Sequence, residues 1–244
     1  MATYVNVPTV PIRYLRPQRA TFDVVGSSLD GGVNGLREAI SIGTSGGGRL
    51  ICTYGQCWLD GQDTERHEVI NWLGARGNGG SRFFNVPIIN DEIGPFPIVD
   101  GRRQPVISGI SHSDGSLFTD GAGYSQGTVF GELTADAAVG AGVIAMRVYG
   151  AARFLRWSDW FSIYHPTKGW RAYRHWEVIH RTDEASPVYT LAIGPALREA
   201  APAGQRVEFA EPKCVMKFPQ GFTLPLEYES WYRSRPTIQF AEAF

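Results

Sequence analysis

The sequence predicts a mainly β protein: a sandwich-like β domain carrying one helix, joined to a second, smaller β-barrel or galectin-like module. Three observations predict it. Glycine supplies 29 of 244 residues, about 12% against a typical ~7%, a density that reads as many turns. Aromatic residues supply 12%, seven of them Trp, and aromatic side chains favour strands. From residue 129 onward, short apolar-alternating runs recur every 8 to 15 residues or so, the spacing of a compact barrel or sandwich.

Length and charge narrow the class further. A chain of 244 residues fits one large or two small domains and can bury roughly 70–75% of its unfolded surface. With 43% apolar and 19% charged residues it is not a disordered chain. No apolar run reaches the ~18 residues of a membrane helix, so no membrane partner is expected. The first residues lack a basic stretch followed by an apolar one, so no secretory signal is expected. A net charge of −1 argues against a basic face that grips nucleic acid. Three cysteines argue against a disulfide scaffold. Basic charge is almost all Arg, the only lysines being Lys168, Lys213 and Lys217; planar, multi-donor Arg suits interfaces.

Element by element, residues 1–19 carry Pro8, Pro11 and Pro17 without a clean period and read as an extended arm. ATFDVV (20–25) is a strand and the Gly-rich LDGGVNG (29–35) a turn. LREAISIG (36–43) alternates like a strand, with a helical turn as the alternative at its start. GRLICTYG (48–55) is a strand placing Leu50, Cys52 and Tyr54 on one face. DTERHEVINWLGARG (63–77) is a helix with Val69, Ile70 and Leu73 inward and Arg66 and Asn71 facing away. Its first turn holds Asp63 and Glu65 and its last Arg76, matching the helix dipole. Gly74 and Gly77 are candidate stops. SRFFNVPII (81–89) is a strand that Pro87 confines to an edge or an end.

Residues 90–128 are punctuated by Gly, Pro, Ser and Asp and read as a long loop, functional or connecting. A strand follows at 128–136, then 137–150 gives a small-residue turn and a strand, 153–165 packs four aromatics around Ser158 and Asp159, 169–180 is a strand, and 186–204 is a strand followed by a helical turn or Pro-rich loop. In the strand within 137–150 Ile144, Met146 and Val148 share a face. RVEFAEPKCVMKFP (206–219) and GFTLPLEYES (221–230) read as further strands, and the chain closes on alternating Ile238 and Phe240.

Three groups of residues could carry chemistry. His112, Asp114 and Asp120 in SHSDGSLFTDG (111–121) offer a base and paired carboxylates for a hydrolase, although Asp-Gly pairs are also ordinary turn signals. Trp157, Trp160, Tyr164, Trp170, Tyr173 and Trp176, with Phe161 in the same run, offer faces for stacking on sugars, as in a carbohydrate-binding or adhesin module; a core-plus-interface role is the plain alternative. Cys52 and Cys57 have a metal-like spacing but lack a second ligand pair, so they read as buried thiols. GTSGGGR (43–49) lacks the Lys-Ser/Thr of a phosphate loop, and no H-E-x-x-H or G-x-S-x-G occurs. No cofactor and no metal site is expected.

The order of several motifs carries a resemblance. A helix is followed by ARGNGGSRFF (75–84), then by HSDGSLFTDGAGY (112–124), ADAAVGAGVIAMRV (135–148), WSDWFSI (157–163), PALREAAPAGQRVEFAEPKCVMKF (195–218) and TIQFAEAF (237–244). This series resembles the distal tail proteins and related tail-tip proteins of long-tailed, non-contractile phages and gene-transfer particles, across roughly 35–244. The resemblance implies a structural virion component with no catalytic residues. It implies a ring, a hexamer in the family, that joins the tail tube to the hub or baseplate and holds receptor-binding parts. DNA would only pass through the lumen, and the protein, made in the host cytoplasm, would sit at the virion's tail tip. By the same analogy a belt maps to 1–90 and 206–244, a connecting loop to 91–127 and an outward module to 128–205.

Overall fold

The computed structural model describes residues 7–26, 28–33, 35–37, 39–43, 47–157, 159–225, 228 and 233–243. The protein is mainly β, with a closed six-stranded barrel and several antiparallel sheets. It divides into two compact units. The first comprises the described residues of 1–87, 166–170 and 214–244, and the second comprises 88–165 and 171–213.

The first unit opens with Thr9 bridging Asn85 and a single helical turn, α1 (Ile12–Leu15), which buries Leu15. Part of the expected arm is therefore folded, and its end already belongs to β1 (Pro17–Val25). β2 (Ser28–Val33) and β3 (Ala39–Gly43) pair as a two-stranded ribbon. The Gly-rich 29–35 stretch was expected to be a turn, and most of it is strand. Gly32 takes φ +79° beside the register shift between Asp30 and Val33, so glycine here serves a bulge inside the ribbon. β4 (Arg49–Cys57) pairs with β1, and its Leu50, Cys52 and Tyr54 are all fully buried.

Helix α2 (Thr64–Gly77) starts after Asp63 and ends where Asn78 turns left-handed at φ 39° and its N–H returns to the Gly74 carbonyl. Its buried stripe is Arg66, Ile70, Leu73 and Gly77. Arg66 was expected to face away. It lies one turn before Ile70 on the same face, and its guanidinium donates to the Trp58 carbonyl and pairs with Asp63 at 3.1 Å. Gly77 ends the helix for a packing reason as well: a Cβ there would stand 2.1 Å from the Phe218 ring. β5 (Phe84–Pro87) ends at Pro87 on a sheet edge.

In the second unit β6 (Ile98–Val99) and β7 (Arg102–Arg103) form one ribbon, and β8 (Val106–Ile110) and β9 (Tyr124–Gly127) another. The stretch expected as a long loop thus contains two hairpins. The barrel is built from β10 (Phe130–Leu133), β11 (Val143–Tyr149), β12 (Trp160–His165), β13 (Gly169–Arg181), β14 (Val188–Gly194) and β15 (Arg206–Glu208), in the order β10-β11-β14-β13-β12-β15. Closure pairs both edges of every strand. Ile144, Met146 and Val148 of β11 point inward with Phe161, Ile163, Tyr173, Leu191 and Phe209.

The run 206–219 is two strands. β15 closes the barrel, and β16 (Lys213–Lys217) lies in the sheet of the first unit. The Glu208 carboxylate accepts the N–H groups of Ala210 and Glu211, and Pro212 has no N–H to extend a ladder, so the chain turns between them. Residues 221–225 and 228 lie in no strand, and the rest of the strand expected at 221–230 is outside the described residues. β17 (Ile238–Glu242) completes the five-stranded sheet β1-β4-β17-β16-β5. Tyr54, Phe84, Phe218 and Phe240 stack there with ring centroids 5.3 to 6.0 Å apart. The buried Glu242 carboxylate accepts the Leu50 N–H at 3.1 Å.

Candidate functional site

The Ser/His/Asp loop at 111–121 lies at the tip of the β8–β9 ribbon. Asp114 Oδ1 accepts the backbone N–H of Ser116 at 2.9 Å and its hydroxyl at 2.6 Å, and these bonds hold the Asp114 carboxyl below its usual range. Asp120 Oδ1 accepts the Ala122 N–H at 2.9 Å. Both carboxylates cap turns, the ordinary use of Asp before Gly. His112 meets neither of them. Its ring packs edge-on against Phe118 and Tyr124, with centroids 5.2 and 4.8 Å away, and its Nδ1 lies 3.3 Å from the Tyr124 hydroxyl. Two further backbone bonds, His112 N–H to Ser116 and Phe118 N–H to Ala122, brace the loop. The result is a hydrogen-bonded tip that displays Leu117, Phe118 and Tyr124 to solvent.

The six aromatic candidates separate. Trp157 and Trp176 are 73% and 61% exposed. The Trp176 indole N–H donates to the Ile193 carbonyl at 3.3 Å, which fixes its ring against β14. Tyr164 and Trp170 are half-buried, and Trp170, itself in the first unit, packs there with Val215 and Ala243. Trp160 and Tyr173 are buried and present no face to a ligand, which corrects their assignment as contact aromatics. Tyr173 points into the barrel, where its hydroxyl lies 2.9 Å from His165 Nε2 and accepts the Arg198 N–H at 3.2 Å. Alternation along β13 sends this ring inward.

A cleft of about 390 Å³ opens on the second unit, lined by Val148, Ala151, Ala152, Phe154, Pro187 and Tyr189 with Arg153 and Glu184. One lining side chain, Arg153, is held in place by a buried carboxylate. Arg153 grips the fully buried Asp159 with two bonds of 2.8 and 2.7 Å, and Asp159 also accepts the Arg156 N–H at 2.7 Å. Such a fork-to-fork pair ties Arg153 to Asp159 in a fixed orientation. Burial lowers the pKa of nearby His175, with the Asp159 charge opposing, and raises that of Tyr189. The Arg181 guanidinium stacks 3.7 Å over the Phe154 ring, and Arg147 pairs with Glu184 at 2.6 Å. Phe154, 57% exposed, was not among the sequence candidates. The alternation of Arg and aromatic residues in RFLRW (153–157) was the available signal.

Cys52, Cys57 and Cys214 are free and buried, and burial pushes the Cys57 thiol up to about 12. Among the described residues no group of His, Cys, Asp and Glu is arranged to hold a metal ion. No described helix is long and apolar enough to cross a membrane. The glycine-rich 43–49 stretch is interrupted by residues 44–46, which lie outside the described residues. No known family matches the chain, and no curated protein matches its sequence.

Proposed function

We propose that this protein is a non-enzymatic structural component of a phage-type tail tip, a distal tail protein or a neighbour of similar build. In this reading copies form a ring, six in the family it resembles, between the tail tube and the hub or receptor-binding apparatus. It is assembled into the virion from the host cytoplasm, and DNA only passes through. The first unit serves as the belt and the second as the outward module.

The observation that supports this reading is where large apolar side chains are left uncovered. Ile98 and Val99 of β6, Ile107 of β8, Tyr124 of β9, and Leu117 and Phe118 in the loop between β8 and β9 are all more than 40% exposed. Exposed apolar side chains of this kind are available for an interaction surface. The order of sequence motifs points the same way. The test is co-sedimentation with purified tail tubes and with hub protein. Retention on either one supports the reading, and absence from both contradicts it.

A second reading, a carbohydrate-binding or adhesin module, is favoured by exposed Trp157, Trp176 and Phe154. A bacterial glycan array with tryptophan fluorescence as readout decides it, and no hit with no spectral change removes it.

A further inference from the structure

The five-stranded sheet of the first unit has two edge strands, β1 and β5. The β5 edge is covered by an earlier stretch of the chain. Asn85 donates its N–H to the Pro8 carbonyl and accepts the Val10 N–H, both at 2.9 Å. The β1 edge is different. Among the described residues β1 pairs with β4 alone, in a register unbroken from Arg19 to Val25. Natural edges are commonly blunted by internal Pro, a bulge, Lys or short length. β1 is nine residues long, with Pro only at its first position and no Lys, and Arg19, Ala20, Thr21, Asp23 and Val25 are exposed.

The backbone groups on this edge follow from the register. Leu50, opposite Val24, donates its N–H to Glu242 of β17, on the other side of β4, at 3.1 Å. The Val24–Leu50 pair is therefore a non-hydrogen-bonded one, and the Val24 N–H turns to Asp23 Oδ1 at 2.8 Å. Antiparallel pairs alternate between bonded and non-bonded. Ala20, Phe22 and Val24 thus direct their N–H and C=O groups outward, while Arg19, Thr21 and Asp23 direct theirs to β4.

The side chains decide what fits there. Arg19 and Asp23 have opposite charge and share a face, with Thr21 midway between them. When a second copy lies antiparallel with Thr21 facing Thr21, Arg19 of each copy stands opposite Asp23 of the other. In the same register Ala20 faces Phe22, small against large, and their outward backbone groups bond. Sliding by two residues, the smallest step that keeps outward groups facing, puts Asp23 opposite Pro17 or Thr21 and loses both charge pairs.

We propose that two copies pair antiparallel through β1, about a two-fold axis at Thr21, and so join their sheets into one. Arg19 and Asp23 select this partner and this register, since opposite charges directly across an antiparallel pair stabilise it and like charges destabilise it. The contact is isologous and closes on two copies. It goes beyond the ring reading and does not depend on it: heterologous contacts build a ring, and this one joins two subunits or two rings.

The test is light scattering on the full chain over rising concentration, with charge reversals at two exposed positions. The wild type should double in mass, and less readily at high salt. Arg19→Glu or Asp23→Arg sets like charges opposite each other at both sites and should weaken pairing about a hundredfold. The two variants mixed should pair again, because each supplies the charge the other lacks. Both substitutions in one chain should also restore pairing. Thr21→Cys treated with diamide should cross-link two copies, since facing residues of a non-bonded pair lie about 4.5 Å apart and Cys52, Cys57 and Cys214 are buried.

A wild type that never doubles, reversals that pair like the wild type, a mixture that fails to pair, or no cross-link through position 21 would each overturn the contact. Single rings from wild type and variants alike would overturn it and leave the ring reading standing. Pairs that never form rings, alone or on tail-tube ends, would support the contact and overturn the ring reading.

Discussion

The barrel and the ribbons of the second unit share one strand geometry and use it in opposite ways. β11 alternates, and Ile144, Met146 and Val148 are all at most 2% exposed. β8 carries Ile107 at 48% exposure, and Val106 and Ile110 are only half-covered. Every barrel strand is paired on both edges, whereas β8 and β9 pair only with each other. An alternating pattern yields a core only where the sheet closes or something covers its face. Within β8, Val106 packs against the barrel core while Ile107 stays exposed.

The largest expected effect lies at the barrel end of the comparison. Asp159→Ala leaves Arg153 without its buried partner and should cost about 3–5 kcal/mol in urea unfolding. Phe161→Ala, which opens a cavity among Tyr173 and Phe209, should cost a similar ~3–5 kcal/mol. If both cost under about 1 kcal/mol, the barrel is not the rigid half of the pair.

Acid comes next. Burial, with Arg171 adding and Glu199 opposing, lowers the His165 pKa from 6.5 to about 4. The folded state holds this imidazole neutral, so the unfolded chain takes up the proton first as pH falls. The associated stability is complete above pH 6.5 and is lost on acidification toward pH 4, by roughly 3 kcal/mol in all. Thermal melts across that range should show the loss, and His165→Asn should flatten it. A profile unchanged by the substitution would refute the assignment.

Glycine sharpens the comparison. Gly150 and Gly121 both have positive φ, 74° and 79°. A Cβ on Gly150 would stand 2.1 Å from the Thr128 carbonyl oxygen, whereas one on Gly121 would meet nothing within 4 Å. Gly150→Ala should cost more than about 2 kcal/mol and Gly121→Ala about 1, the second being backbone strain alone. Equal losses would mean that close packing adds nothing at the barrel rim.

Phe118→Ala should have the smallest effect on stability, under about 1 kcal/mol, since a half-exposed ring on a ribbon gives up little burial. The same change should abolish association with other copies or tail components. A large loss of stability with association intact would reverse the roles of ribbon and barrel.

Where the chain's periodicity had a covered face to report, it was legible. Leu50, Cys52 and Tyr54 in β4 and Ile144, Met146 and Val148 in β11 share buried faces as their spacing implies. The α2 helix and the edge position of Pro87 follow from local chemistry. Arg66 was misread because a charged head on a helix looks solvent-facing until a carbonyl, that of Trp58, is found for it. The ribbons at 98–127 were missed because Gly and Ser break the alternation and only pairing reveals them. The two strands in 206–219 read as one because the turn is made by the Glu208 side chain.

The site was less legible for a related reason. Aromatic density announced Trp157 through Trp176 without saying which rings face inward, and at Trp176 the bulge between His175 and Glu177 resets the alternation of β13. The cleft joins residues 148–154 to 184–189, a proximity that the pairing of β11 with β14 creates.

The most direct measurement of the central claim is negative-stain electron microscopy of the purified full chain, alone and with tail-tube ends. The account predicts closed rings of one size with a central hole, in at least one of the two preparations. Isolated particles of monomer size in both would contradict it.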